Sequence, residues 1–269
     1  MGMDRTPRLV FGEVAARYER VRPSYPEALV ADALELAGGG RALEVGAGTG
    51  KATVMFARRG VSVYAVEPSA EMASIARRRC ADFPGVTIEE SDFEDWHGDR
   101  HAFALVFSAQ AWHWVSPELK YVRAREALAD RGVLAAFWNR PDWGRCAMRD
   151  ELAAAYERAA PDFGPDPGPM HPGSEIAPDR WEDWDAEIAA AAGLEDPRTR
   201  FYEWNADYTA RRYVELIATT HDHILLADDT RDALMQAVGD VIERDGGLLS
   251  LPLITKLCLA RADARSEDA

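Results

Sequence analysis

Hydrophobic and polar positions alternate in blocks along the first half of the chain, switching between a period of two and a period near 3.6. Phe11, Val14, Ala15, Tyr18 and Val21 recur at helical spacing until Pro23 stops the run. Ser24 and Glu27 have the spacing of a capping box, with Pro26 early in a second helix that ends at Gly38-Gly39-Gly40. From Arg41 onward, β-rich runs at Ala42–Gly46, Val61–Glu67, Val86–Glu90, Phe103–Ser108 and Val133–Trp138 are separated by helical runs. Those helices are expected near Thr49–Arg59, Ala70–Arg79 and Pro117–Ala129. Strands joined by helical crossovers imply a parallel sheet covered on both faces.

After Trp138 the alternation breaks. A helix near Arg145–Ala160 leads into Pro161–Asp179, a segment rich in Pro and Gly. A loop of that length in a compact chain is usually functional or disordered. Trp181, Trp184 and a helical run follow, then a strand near Arg198–Trp204, helices near Tyr208–Leu226 and Arg231–Arg244, and a last β-rich run at Leu251–Leu259. The expected organisation is an N-terminal helical segment over 1–40, which would act as a lid if it closes over a ligand, a parallel α/β core over 41–139, a cap insertion over 140–196, and a C-terminal segment over 197–262 that completes the sheet.

Composition narrows the class. With 269 residues and 47% hydrophobic content the chain can bury a large core. Against 31 Lys+Arg stand 46 Asp+Glu, a formal net charge of −15. Phosphate backbones and anionic lipid repel such a chain, so neither nucleic acid nor a membrane surface is expected as a partner. No apolar run of about 18 residues and no signal-peptide pattern are present. Cys80, Cys146 and Cys258 are widely spaced and odd in number, so packed, reduced thiols in a cytoplasmic protein are expected. Oligomeric state has no signature in this pattern.

The most specific local signal is Glu44-Val45-Gly46-Ala47-Gly48-Thr49-Gly50, which follows a predicted strand and opens a predicted helix. Glycines there let a ligand approach the backbone. A dinucleotide loop needs its third glycine where Lys51 stands, and a P-loop needs Ser or Thr where Ala52 stands. Glu44 admits two readings, a loop-ordering ligand group or a turn cap. Glu67 closes the second strand, where an ionised carboxylate can accept from both hydroxyls of a ribose or stand as a solvated strand-end charge.

This chain resembles the class I S-adenosylmethionine-dependent methyltransferases, whose first motif, E/D-x-G-x-G-x-G, is matched by Glu44–Gly50 at every defined position. The resemblance implies a doubly wound α/β fold with a seven-stranded, mostly parallel sheet, an antiparallel strand at one edge and a helical cap. It implies S-adenosylmethionine as cofactor, with Glu44, Gly46, Ala47 and Gly48 on its methionine part and Glu67 and Pro68 at the ribose. Asp92 resembles the adenine-amine acceptor with Phe93 against the ring, although Glu89, Glu90, Glu94 and Asp95 crowd the same loop. Ser108 and Gln110, after the fourth strand, are further cofactor candidates. The run Gln110-Ala111-Trp112-His113-Trp114 and the segment Ala16–Pro26 resemble a small-molecule subset that includes trans-aconitate methyltransferase-like proteins. In that subset the leading helix closes over the cofactor. Tyr18 and Arg22 are the candidates there, with core packing and a surface charge as their alternatives.

The expected function is therefore methyl transfer to a small-molecule acceptor, with a non-methylating or sensing use of the cofactor as the alternative. A dehydrogenase is disfavoured by the glycine spacing. A nucleic-acid base methylase is disfavoured by charge and by Ser108-Ala109-Gln110-Ala111 in place of an Asn/Asp-Pro-Pro-Tyr motif. Methyl transfer depends chiefly on holding the acceptor in line, and a base helps only where the acceptor must lose a proton. His113 and His221 are the catalytic candidates, each with a structural histidine as its alternative. Helical spacing puts His221 on an apolar arc with Tyr213, Ile217 and Ile224, and His223 at its edge. A metal site is not expected, since residues two apart on a helix diverge. Trp112, Trp114, Trp138 and Arg140 are candidates for the acceptor pocket, Arg140 as a fork for a carboxylate or as a plain surface arginine.

Overall fold

The computed structural model describes residues 21–163, 168–174 and 184–264. Tyr18, Trp181 and most of the predicted leading helix lie outside the described residues. In the first half the elements run α1 (Glu27–Ala37), β1 (Ala42–Val45), α2 (Lys51–Ala57), β2 (Val63–Val66), α3 (Ala70–Arg79), β3 (Val86–Glu89), β4 (Phe103–Ala109), α4 (Lys120–Ala127) and β5 (Leu128–Pro141). Then follow α5 (Arg149–Ala159), α6 (Trp184–Ala190), β6 (Leu194–Thr209), α7 (Ala210–Ile217), α8 (His221–Ile224), α9 (Asp228–Arg244) and β7 (Leu248–Ala262).

The seven strands form one sheet in the order β3-β2-β1-β4-β5-β7-β6. β1 to β5 pair in parallel, and β7 runs antiparallel to both β5 and β6. The antiparallel pairing thus lies at one side of the sheet as expected, with β7 one place in from the edge and β6 outermost. β6 and β7 are much longer than their predicted cores, pairing from Leu194–Ala262 to Thr209–Leu248.

Strand alternation sorts side chains to two faces. On one face Ala42, Ala65, Leu105, Phe107, Ala135 and Phe137 pack under α1 and α2 with Leu29, Val30 and Phe56. On the other, Leu43, Val45, Val106, Leu134 and Ala136 pack with Phe93, Trp96, Trp112 and Trp184. A third core joins α5, α7 and α9 to the hairpin end of β6 and β7 through Leu152, Tyr156, Tyr213, Leu234 and Leu251. That helical body joins α5 of the expected cap insertion to two helices of the C-terminal segment. Residues 27–37, expected in the lid, are a layer of the main fold.

Two local expectations change. The capping box of Ser24 and Glu27 does not form: α1 begins at Glu27 with Pro26 in the cap position and no side-chain cap. Ser24 Oγ instead donates to Met55 Sδ at 3.3 Å, in a stretch, 23–26, that has no regular structure. The helix predicted over Tyr208–Leu226 is two helices, broken where Thr219 and Thr220 hydroxyls donate back to the carbonyls of Leu216 and Ile217.

The candidate cofactor and acceptor cavity

The strand order reverses between β1 and β4, so the loops that leave them diverge and open a cleft at their carboxyl ends. A cavity of about 160 Å³ lies there. The glycine loop forms its floor. Gly46, Gly48 and Gly50 all have positive φ, at 73°, 56° and 79°. Gly46 also has no room for a side chain, since a Cβ there would stand 2.4 Å from that of Ala111 in the loop after β4. The glycine thus brings the two loops of the switch point together.

Two carboxylates organise this floor. Glu67, at the end of β2, accepts from the Gly48 amide at 2.7 Å through Oε2 and from the Ser69 amide at 2.9 Å through Oε1. It ties the glycine loop to α3, whose cap is the Ser69 hydroxyl. Each carboxylate oxygen has lone-pair capacity for a further donor from the cavity. Glu44 is fully buried and accepts from Thr53 Oγ1 at 2.5 Å through Oε2. Among the described residues its Oε1 has no hydrogen-bond partner. Burial, opposed by the Thr53 bond and joined by the nearby Glu67 charge, pushes the Glu44 carboxyl up to about 8. A buried acid with one open oxygen in a cavity wall suits an amine, because an ammonium would satisfy the oxygen and favour the ionised form.

The crowded acidic loop after β3 sorts itself. Asp92 and Glu94 line the cavity. Glu94 Oε1 already accepts from the Ser116 amide at 2.9 Å, and Glu89 is taken up by the Tyr64 hydroxyl. Glu90 and Asp95 are exposed. Phe93 presents to the cavity while packing against Trp96 and Trp112.

Of the candidates from sequence, Arg22, Glu44, Gly46, Ala47, Gly48, Glu67, Pro68, Asp92, Phe93, Gln110 and Trp114 surround this one cavity. Gln110 holds a positive φ of 61°, an unusual conformation for a residue with a side chain. The other candidates lie elsewhere. Ser108 is inside β4, its hydroxyl turned to the Val45 carbonyl at 2.8 Å. Trp112 is a core residue whose indole meets the Tyr121 hydroxyl. Trp138 is buried against Trp184 and under the Lys256 ammonium. Arg140 is half-buried on β5 beyond the cavity. His113 is exposed beside Trp114 and Trp184, outside the cavity lining. His221 is exposed rather than on an apolar arc, because the break after Ile217 resets the helical phase.

That reset buries His223 instead. Its Nδ1 lies 2.6 Å from Thr220 Oγ1 and its Nε2 lies 2.7 Å from the Tyr156 hydroxyl. Thr220 spends its proton on the Ile217 carbonyl, so Nδ1 carries the ring proton and Tyr156 donates to Nε2. Burial drives the imidazole down to about 4, so the pair is neutral and structural. Residues missed from sequence include Tyr25, Thr49, Lys51, Val66, Met72, Ser91 and Val115, all in the cavity wall. Tyr25 and Lys51 had a signal, since each adjoins a motif. The apolar ones are indistinguishable from core positions. No group of His, Cys, Asp or Glu able to hold a metal occurs among the described residues. None of their helices is long and apolar enough to cross a membrane.

Residues 42–132 match the model of a methyltransferase domain family. An uncharacterized methyltransferase of Mycobacterium tuberculosis is 38% identical over 138 residues, 51% of this chain and 55% of that one. A protein-L-isoaspartate O-methyltransferase of Methylorubrum extorquens is 43% identical over 70 residues, 26% of this chain and 30% of that one. The chain spans about half the length of the first of these and less of the second. Among solved structures, the YcgJ protein of Bacillus subtilis superposes with a TM-score of 0.53 at 14% identity, covering 89% of this chain and 100% of that one. A phosphoethanolamine N-methyltransferase of Haemonchus contortus superposes at 0.52 and 14% identity, over 94% of this chain and 58% of that one. At these identities the likeness is one of fold.

Proposed function

We propose that this chain, in which residues 42–132 match a methyltransferase domain family, is a class I S-adenosylmethionine-dependent methyltransferase that methylates a small-molecule acceptor held between the cavity and the cap. The observation that carries the cofactor's placement is the open, buried Oε1 of Glu44 in the wall of a cavity shared with Glu67 and Asp92. In this reading Glu44 receives the cofactor's ammonium and Gly46 and Gly48 let its methionine part lie on the backbone. Glu67 accepts from the ribose hydroxyls while still holding the Gly48 and Ser69 amides. Asp92 accepts from the adenine amine, and Phe93 lies against the ring. When bound, the cofactor supplies a methyl group already activated by its sulfonium.

What the protein adds is position. No histidine lines the cavity among the described residues, which favours an acceptor aligned by packing over one deprotonated by an imidazole. Three features support a small acceptor. The formal charge of −15 opposes polyanions. The cap covers the hairpin end of the sheet and shares its core with Val21, the residue before cavity-lining Arg22. Within that core the hydroxyls of Tyr208 and Tyr213 are buried without hydrogen-bond partners among the described residues, two donors suited to a polar acceptor group.

The test is turnover. Purified protein supplied with methyl-labelled S-adenosylmethionine and a low-molecular-weight metabolite pool should release S-adenosylhomocysteine and a labelled small molecule. Tight cofactor binding with no labelled product from any pool would move the chain to a binding or sensing role.

A further inference from the structure

The chain leaves a helical Val21 and a bend at Arg22 and runs without regular structure through Pro23–Pro26 into α1, and Arg22, Pro23 and Tyr25 form one wall of the cavity. Apolar contacts hold it at two points. Val21 enters the cap core, and Tyr25 packs edge-on against Phe137 with ring centroids 4.9 Å apart. Between them Ser24 Oγ donates to Met55 Sδ at 3.3 Å.

A buried polar relay reaches that backbone from the far side of the sheet. Trp204 Nε1 on β6 donates to Thr255 Oγ1 on β7 at 2.8 Å. Thr255 Oγ1 donates to Asn139 Oδ1 on β5 at 2.6 Å, and Asn139 Nδ2 donates to the Ser24 carbonyl at 2.8 Å. The direction of the chain is forced. An indole N–H can only donate, so the Thr255 oxygen accepts and its proton goes on to Asn139. The amide oxygen is thereby committed, which leaves the NH₂ for the carbonyl of Ser24. Thr255 is fully buried and Asn139 is 9% exposed, so breaking a link leaves a polar group with little water to replace it. The Asn139 carbonyl also receives Gln110 Nε2 at 3.4 Å, which brings the loop after β4 to the same point.

We propose that Asn139 is a positioning residue that sets the Arg22–Tyr25 wall against the cofactor, and that Thr255 and Trp204 orient it for that task. This rests on the cofactor reading of the cavity. Asn139 does not line the cavity itself and acts through the Ser24 carbonyl. Losing its amide removes the hydrogen bond to the Ser24 carbonyl without removing any side chain of the cavity wall.

The test compares Asn139→Leu, Thr255→Val and Trp204→Phe with the unmodified protein. Three readouts are taken, namely S-adenosylhomocysteine affinity, thermal midpoint, and amide exchange in 21–26 against that in β7. Asn139→Leu should weaken S-adenosylhomocysteine about three- to ten-fold, the value of one hydrogen bond. Exchange in 21–26 should rise in step, while Leu257–Ala260 keep their protection. Thr255→Val should do the same to a smaller extent and Trp204→Phe less again. Unchanged affinity and unchanged exchange at 21–26 in a folded Asn139→Leu variant would overturn the proposal. So would losses that follow the thermal midpoint instead of the order along the relay. Should the unmodified protein not bind S-adenosylhomocysteine, the cofactor reading fails, and exchange at 21–26 still decides whether the relay holds the segment. If Asn139→Leu does not fold, Thr255→Val decides by the same readouts.

Discussion

Thr53 Oγ1 donates to Glu44 Oε2 at 2.5 Å beneath the glycine loop, and the second oxygen of that carboxylate has no partner among the described residues. The pair makes Glu44 a half-satisfied buried acid. Its carboxyl stands near 8, against an ordinary value of 4.5, because burial penalises the charge and Glu67 adds to the penalty. The native state therefore holds a proton that the unfolded chain releases. Stability from this group rises as pH falls from 8 towards 4.5, and it is lost as pH rises through 8.

Cofactor binding reverses that preference, because an ammonium at Oε1 favours the carboxylate. Titrating S-adenosylhomocysteine at pH 7 in buffers of different ionisation enthalpy should show close to one proton released per site. The affinity should rise with pH up to about 8. In Glu44→Gln the proton release should vanish. Binding heats that do not depend on the buffer would mean that Glu44 is not the ammonium's partner.

Gly46→Ala should be the most damaging small substitution in the loop. It forces a Cβ to 2.4 Å from that of Ala111 and places alanine at a φ of 73°. Left-handed backbone costs about 1–2 kcal/mol, and overpacking about 1–3 kcal/mol more. Denaturant unfolding should show a loss of about 2–5 kcal/mol, with cofactor binding abolished. A loss below that range with binding intact would mean that the two loops do not meet as described.

His223 predicts an acid limit to stability. Its imidazole stands near 4 in the fold and near 6.5 when unfolded, with burial as the first cause and His171 as the second. The unfolded chain takes up a proton first as pH falls, so stability present above 6.5 is lost progressively down to about 4. The full contribution is about 3 kcal/mol. Replacing His223 with Gln should flatten that part of the stability profile. An unchanged slope between pH 6.5 and 4 would show that the Tyr156–His223 pair is not buried and neutral.

Tyr213→Phe separates packing from acceptor contact. Removing a buried hydroxyl without a partner should leave stability unchanged or raise it by about 1 kcal/mol. If the hydroxyl meets the acceptor, the KM for that acceptor rises while cofactor affinity holds. A marked loss of thermal stability would show that the hydroxyl is satisfied by a group within the fold.

The parallel half of the fold was legible in the sequence because short β-rich runs and helical runs alternate cleanly there. Glu44–Gly50 also carries its context with it, a strand before and a helix after. The later half was less legible, since its elements depend on long-range pairing. β6 and β7 extend well past their β-rich cores because each completes the other's ladder. His221 and His223 changed places because two threonine hydroxyls broke a helix that periodicity alone reads as continuous. Trp112 and Trp138 had the size and apolarity of core residues as much as of a pocket wall, and packing placed them in the core. Asn139 stood out in the sequence only as a neighbour of Trp138 and Arg140 at the end of the fifth strand, and its ties to Ser24 and Thr255 had no local signal, because those partners lie 115 and 116 residues away.

The central claim is that one cavity, floored by Gly46 and Gly48 and flanked by Glu44, Glu67 and Asp92, holds S-adenosylmethionine. Calorimetric titration of S-adenosylhomocysteine into the purified chain, repeated with Glu67→Ala, tests it most directly. The account predicts saturable binding of one ligand per chain, weakened by about 1.5–3 kcal/mol in the variant, as for a hydrogen bond to a charged group. Flat heats at millimolar ligand with no rise in thermal midpoint, or equal affinity in a folded Glu67→Ala variant, would contradict it.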